Sequence, residues 1–277
     1  MEADPLAQRL LDAWAAQRPL APLSQTEPDF DVARAYRVTE ALHRARLARG
    51  DRPIGRKIGF TNRTIWSEYG VYEPIWGFVY DRTVQFLDGP RGSHPLARLF
   101  EPRIEPEIVL HFKAPPPATR DAERGRGPAD PESEILASID WIAHGFELVQ
   151  SPFPQWKFKV ADTVAVNGLH GALVVGPKVP VAEIPDCARK LREFRIALAR
   201  GGVVRAEGGG ANVLDSPLLA LAHLVEVLRG LPQFPPVADG EIVTTGTLTA
   251  ALPVAPGETW STTLSGIELP GLELELE

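Results

Sequence analysis

The chain has 277 residues, 44% of them apolar and 23% charged, with 29 lysines and arginines against 36 acids and a formal net charge of −7. That length and composition suit a folded chain with one large or two modest cores and exclude intrinsic disorder. No basic stripe fits nucleic acid or an anionic membrane, and the single cysteine, Cys187, excludes an internal disulfide and a cysteine-rich zinc site.

The acidic start, Met1-Glu2-Ala3-Asp4-Pro5, lacks the basic region and apolar core of a secretory signal. No uninterrupted apolar run approaches the ~20 residues of a membrane helix, so the expected setting is cytoplasmic. Residues 4–17 are expected to form a helix, with Asp4 as cap, Pro5 in the first turn and Leu6, Leu10, Ala13 and Trp14 on one stripe. A second helix is expected over 31–49, turning Val32, Ala35, Tyr36, Leu42 and Ala45 inward and ending at Gly50. From residue 54 the pattern becomes short, β-branched and glycine-punctuated, with strands expected at 54–60, 75–79 and 104–112. Residues 114–134, crowded with proline, glycine and charge, read either as a solvated loop or as a flap over a site.

The spacing of Ile135, Ile139 and Ile142 predicts a helix over 132–143 leading into a strand at 145–149. Strands are expected at 156–166 and 171–176, and a hairpin at 192–207 turning on Gly201-Gly202. Asp215-Ser216-Pro217 opens a helix closed by Gly230, and 241–276 reads as strand and turn. The expected fold class is α+β: an N-terminal helical region, 1–53, and a mixed-β domain, 54–277. Regular βαβ alternation and a phosphate-binding glycine fingerprint are both absent.

The densest chemical signal is Glu101-Pro-Arg103-Ile-Glu105-Pro-Glu107-Ile108. On a strand, Glu105 and Glu107 share one face, and two carboxylates that close repel unless a cation such as Mg²⁺ or Mn²⁺ sits between them. The alternative is a wet sheet face. Glu147, flanked by Phe146 and Leu148, offers a third acid on an open strand face or toward a cavity. Lys57 lies between Gly55 and Gly59, which allow close backbone approach. Lys157 and Lys159 alternate with Trp156 and Phe158, either to attract a substrate carboxylate or to solubilise the strand. None of His43, His94, His111, His144, His170 and His223 belongs to a metal or nucleophile motif; His223 reads as packing and His144 as a helix–strand junction.

The segments GRKIGFTN at 55–62, IEPEI at 104–108, GFELV at 145–149, WKFKVADTVAVN at 156–167 and the run from Glu241 to Thr247 follow one another in an order that resembles the hydratase and decarboxylase branch of the fumarylacetoacetate hydrolase superfamily. The resemblance covers nearly the whole chain. It implies a mixed β-roll body, a homo-oligomer, Mg²⁺ or Mn²⁺ held by Glu105, Glu107 and Glu147, an active-site Lys57, and Thr247 among the substrate contacts. The implied activity is hydration of a 2-hydroxy-2,4-dienoate, a small enol carboxylic acid, to a 4-hydroxy-2-oxoacid. Decarboxylation of a 2-oxo-diacid, C–C bond hydrolysis and a non-catalytic structural homo-oligomer are the alternatives. The chain departs from the branch at three places: Gln150-Ser151-Pro152 replaces Asp-Ser-Arg, Val166-Asn167 replaces Asp-Asn, and Asp215-Ser216-Pro217 replaces Gly-Asn-Pro. These departures imply a retained metal centre with altered groups around the substrate.

Overall fold

The computed structural model describes residues 4–63, 66–117 and 130–277. Its helices are α1 Pro5–Ala15, α2 Leu23–Thr26, α3 Val32–Ala48, α4 Trp66–Tyr69, α5 Pro131–Ala137, α6 Val160–Ala165, α7 Cys187–Glu193 and α8 Pro217–Arg229. The strands are β1 Pro53–Gly59, β2 Ile75–Tyr80, β3 Val84–Phe86, β4 Arg91–His94, β5 Arg103–Phe112, β6 Ile139–Val149 and β7 His170–Val175, followed by β8 Val179–Pro180, β9 Arg195–Arg200, β10 Val203–Gly209, β11 Ile242–Thr244, β12 Leu252–Pro253, β13 Thr259–Ser265 and β14 Glu273–Leu276.

The N-terminal helices start where the sequence provides caps. Asp4 Oδ1 accepts from the Leu6 and Ala7 amides at 2.8 and 3.1 Å, and Asp31 Oδ1 accepts from Arg34 N at 2.7 Å. Both helices bury the expected stripe, including Leu10, Ala13, Ala35, Tyr36 and Leu42. They share one buried cluster with Ile58 and Trp76 of the sheet and Leu221 of α8.

The main sheet runs β2-β1-β11-β5-β6-β7-β3, with β12 added to β5 and β8 to β6, and β2 also contacts β7, so the sheet rolls on itself. Side-chain parity then sorts the core. Ile108, Leu110 and Ile142 face the helices, whereas Ile104, Phe146, Leu148 and Val174 face a second sheet ordered β10-β9-β13-β14-β4. The opposite parity points into the roll, where Val79, Val109, Ala143, Leu173, Val175 and Ile242 form a separate buried cluster. Glu105, Glu107, Glu147 and Lys57 have this inward parity.

Four expectations change. The helix over 132–143 stops at Ala137, and Ile139 and Ile142 belong to β6, paired with Phe112 and Leu110. β6 is buried on both faces, so its apolar run carries no period-two signal and imitates helical spacing. Residues 156–166 are not a strand: Asp162 Oδ2 takes the Lys159 amide at 2.8 Å and starts α6. The stretch before Arg195 is helix α7, and His144 lies inside β6 rather than at a junction. Of the expected loop or flap at 114–134, residues 118–129 lie outside the described residues, and Pro131 begins α5. The stretch Gly210–Arg229 has the length and apolarity to cross a membrane, but only Pro217–Arg229 of it is helix α8, and 56% of its most apolar window is buried in the protein.

Lys57 reaches the roll because β1 lies very close to β11. A Cβ on Gly55 would stand 1.9 Å from the Ile242 carbonyl oxygen, so only glycine fits this register. Gly55→Ala is expected to lower the thermal unfolding midpoint through overpacking of about 1–3 kcal/mol. A melting curve superimposable on the wild type would mean that the strands have room to spare.

Candidate metal and acid–base centre

The β5–β6 register sets Glu105 directly opposite Glu147 and Glu107 opposite Gly145, which leaves room beside the third acid. One ligand atom from each of Glu105, Glu107 and Glu147 lies within 4.8 Å of the others. Glu107 and Glu147 are fully buried, and Glu105 is half-buried. Lys57 is 2% exposed, and its Nζ is 3.0 Å from Glu147 Oε2. The structure therefore brings together the three acids and the lysine singled out in the sequence.

Each acid is held differently. Glu107 Oε2 accepts from the Gly246 amide at 2.9 Å, while Glu107 Oε1 has no hydrogen-bond partner among the described residues. Gly246 has φ +102°, and a Cβ there would fall 1.9 Å from Thr61 Oγ1. Glu147 Oε1 lies 2.8 Å from His170 Nδ1, and His170 Nε2 lies 2.8 Å from Thr83 Oγ1. On the outer face, His144 Nδ1 donates to the Glu107 carbonyl at 3.0 Å and Nε2 lies 2.8 Å from Thr262 Oγ1, joining β6 to β5 and to the second sheet. Burial holds His144 down at about 4, so it is a neutral spacer.

Burial and repulsion divide the titrations. Burial alone would lower Lys57, but Glu147, Glu105 and Glu107 together raise it above its ordinary value. Burial lifts Glu105 to about 7 against the pull of Lys57, and burial with the Glu147 charge lifts Glu107 well above its usual range. Glu147 resists burial because Lys57 and His170 draw it down to about 2.

Beside the cluster is a narrow cleft lined by Lys57, Glu105 and Thr247 among polar groups and by Phe60, Trp156, Phe158 and Leu169 among apolar ones. Phe60, Trp156 and Leu169 have φ of 55, 57 and 63°, left-handed values uncommon for bulky side chains. Thr247 is thus beside the acids, with its hydroxyl donating to the Thr249 carbonyl at 3.0 Å. Lys157 and Lys159 are not. Both are exposed and border a separate groove with Arg103, while Trp156 and Phe158 line the cleft.

Residue-by-residue reading missed His170, Thr83 and the Gly246 amide. His170 follows Asn167-Gly168, a turn signal that marks a sharply placed residue without naming its partner. Asn167, retained beside the altered Val166, bridges Phe78 N and O at 2.7 and 2.8 Å. Gln150 Oε1 accepts from Phe100 N at 3.2 Å, and Asp215 pairs with Arg63 at 2.7 Å on the surface.

No family model matches the chain. It is 31% identical over 260 residues to a 2-hydroxyhexa-2,4-dienoate hydratase of Comamonas testosteroni, covering 94% of this chain and 92% of that one. It is 30% identical over 269 residues to a 2-keto-4-pentenoate hydratase of Paraburkholderia xenovorans (strain LB400), with 97% and 93% coverage. The 4-oxalocrotonate decarboxylase from Pseudomonas putida G7, solved with magnesium and adipate, superposes with a TM-score of 0.84 at 27% identity over 98% of this chain and 96% of that one. Fumarylpyruvate hydrolase from Pseudomonas aeruginosa, solved with Mn²⁺ and pyruvate, has the same fold at a TM-score of 0.55 and 14% identity, covering 80% of this chain and 88% of that one.

A carboxyl group whose folded pKa is raised loses stability as pH climbs from its unfolded value, about 4.3, through the folded one. In chelator, Glu107→Gln is therefore expected to melt above the wild type, by little near pH 5 and by several degrees near pH 8. The amide oxygen still accepts from Gly246. A gap that stays constant or shrinks with rising pH would mean that Glu107 is not held protonated.

Proposed function

We propose, for a chain that belongs to the hydratase and decarboxylase branch of the fumarylacetoacetate hydrolase superfamily, a divalent-metal-dependent hydration of a 2-hydroxy-2,4-dienoate to a 4-hydroxy-2-oxoacid. The observation that carries this reading is a cleft with a charged end and apolar walls: Lys57 is the only cation among its described lining residues. A monocarboxylate with an unsaturated tail fits such a cleft. A 2-oxo-diacid would find no second cation for its second carboxylate among the described lining residues, only the uncharged Thr61 and Asn62 and the apolar Phe60, Trp156, Phe158 and Leu169. This favours hydration over decarboxylation.

The donor set suits a hard cation. It offers carboxylate oxygens alone, and Glu107 Oε1 is a buried acceptor without a hydrogen-bond partner among the described residues. Glu105, Glu107 and Glu147 would hold Mg²⁺ or Mn²⁺, which supplies Lewis acidity toward the substrate carboxylate and the neighbouring oxygen. Lys57 keeps its proton at Nζ, beside Glu147 and on the cleft wall, where its charge neutralises the negative charge that develops on the substrate's C2 oxygen. Phe60, Trp156, Phe158 and Leu169 exclude bulk water from the tail. The Thr247 hydroxyl has its hydrogen on Thr249 O, so it meets the cleft as an acceptor suited to orient a water. Lys157 and Lys159 have no part in this reading. The resemblance carries the homo-oligomeric assembly.

Single-turnover absorbance with a dienol substrate, run beside assays for CO₂ and for a second cleavage product, tests the reaction type. Loss of dienol without CO₂ is the expected result, and stoichiometric CO₂ would replace hydration by decarboxylation. Lys57→Ala is expected to slow the chemical step by about 10²–10⁴-fold while divalent-ion affinity, followed by calorimetry, is kept or tightened by the loss of a neighbouring cation. Glu147→Ala should weaken ion binding itself. Turnover near wild type in the ion-loaded lysine variant would remove Lys57 from the mechanism.

A further inference from the structure

We infer that His170 is a positioning residue for the metal centre: it fixes one oxygen of Glu147, with Thr83 fixing the ring, so that the other oxygen is presented to the cluster. The inference rests on the reading of Glu105, Glu107 and Glu147 as ligands.

A carboxylate only accepts, so the 2.8 Å contact from His170 Nδ1 to Glu147 Oε1 places a hydrogen on Nδ1. Nε2 lies 2.8 Å from Thr83 Oγ1, whose hydroxyl donates to the Tyr80 carbonyl at 3.0 Å. Thr83 Oγ1 in turn takes the Tyr80 amide at 3.3 Å, which anchors the chain of contacts on the end of β2. Both ring nitrogens are thereby engaged on a side chain that is 2% exposed. Glu147 is divided between its two oxygens: Oε1 belongs to His170, and Oε2 faces Lys57 at 3.0 Å. A carboxylate whose torsion is locked in this way offers a ligand oxygen without losing rotational freedom on binding.

The backbone is built to deliver this ring. Asn167, Gly168 and Leu169 have φ of 60, 65 and 63°, three successive left-handed residues immediately before His170. Asn167 clamps that turn onto Phe78 through both its amide oxygen and its amide nitrogen. On the other side, Gln150 N donates to the Leu169 carbonyl at 2.9 Å and Gln150 Nε2 to the His170 carbonyl at 3.4 Å. A Cβ on Gly168 would stand 2.8 Å from Lys57 Cδ, so one turn fits around the lysine and aims the histidine. Two of the chain's departures from the family pattern, Gln150 and the Val166-Asn167 pair, therefore flank His170.

Calorimetric titration with Mn²⁺ tests the role without any substrate. His170→Ala is expected to weaken Mn²⁺ binding by about 10–100-fold. His170→Asn, whose amide nitrogen is as far from Cβ as Nδ1 is, should restore affinity to within about threefold of wild type, since the donor to Glu147 returns. His170→Leu keeps the volume without the donor and should bind as weakly as the alanine variant, which covers the case of an alanine variant that fails to fold. Wild-type affinity in a folded His170→Leu protein would overturn the inference and make the ring a packing residue. No Mn²⁺ binding by the wild type would instead overturn the ligand reading on which it rests.

Discussion

Three carboxylates converge on one end of the rolled sheet with a single ammonium among them, and the surrounding structure is arranged to hold that imbalance. Acids so close and so buried cannot all ionise without compensation, because burial and mutual repulsion both favour the protonated forms. Lys57 compensates one of them fully, and Glu147 is the acid that stays ionised. The remaining pair, Glu105 and Glu107, is left with raised affinities for protons and with a buried oxygen on Glu107 that no described residue satisfies. A site of this kind is unfavourable for folding on its own account. It persists because the positions are over-determined: Gly246 N grips Glu107 from one side, and His144 grips its backbone from the other.

The supporting network extends into the second sheet. Thr262 on β13 meets His144 Nε2 and also accepts from the Leu272 amide at 3.0 Å. The outward residues of the same strands, Ile104, Phe146 and Leu148, pack on Trp260, Leu274 and Leu276 of that sheet. A strand with one face in an apolar core and the other in the roll cannot slip by one residue, since a slip would exchange every glutamate with an apolar side chain. Register is therefore the element of the fold on which the site depends most directly.

The alternation of Glu105 and Glu107 was readable because period two survives wherever one face differs chemically from the other. It failed over 139–144, where both faces of β6 are covered and the isoleucines fall at a spacing that also fits a helix. The face that Lys157 and Lys159 share was read correctly, but its partner was not. The cleft itself is largely apolar, so the aromatic side, Trp156 and Phe158, turns toward it and the lysines turn to solvent. The left-handed Gln155 and Trp156 turn the chain there just after Pro154, a turn signal that does not say which way the following side chains point. His170 was hidden for a different reason: its meaning comes from pairing across β6 and β7 and from a hydroxyl 87 positions away. A pattern read along the chain does not contain that separation.

The chemistry of the cleft follows from where the charge imbalance ends. On the ligand side, oxygens and one ammonium are already desolvated and already oriented, so an anionic head group meets groups that need little reorganisation. On the tail side the walls are aromatic and aliphatic, and they strengthen the electrostatics by excluding water rather than by contributing charge. Phe60, Trp156 and Leu169 hold left-handed backbone angles at this wall, which places strain where the cleft is shaped. The two ends therefore make opposite demands on a substrate. One demands a carboxylate with an adjacent oxygen, and the other demands carbon. A short enol acid with an unsaturated tail meets both, and each further charge on the tail would have to be buried against rings that cannot pair it.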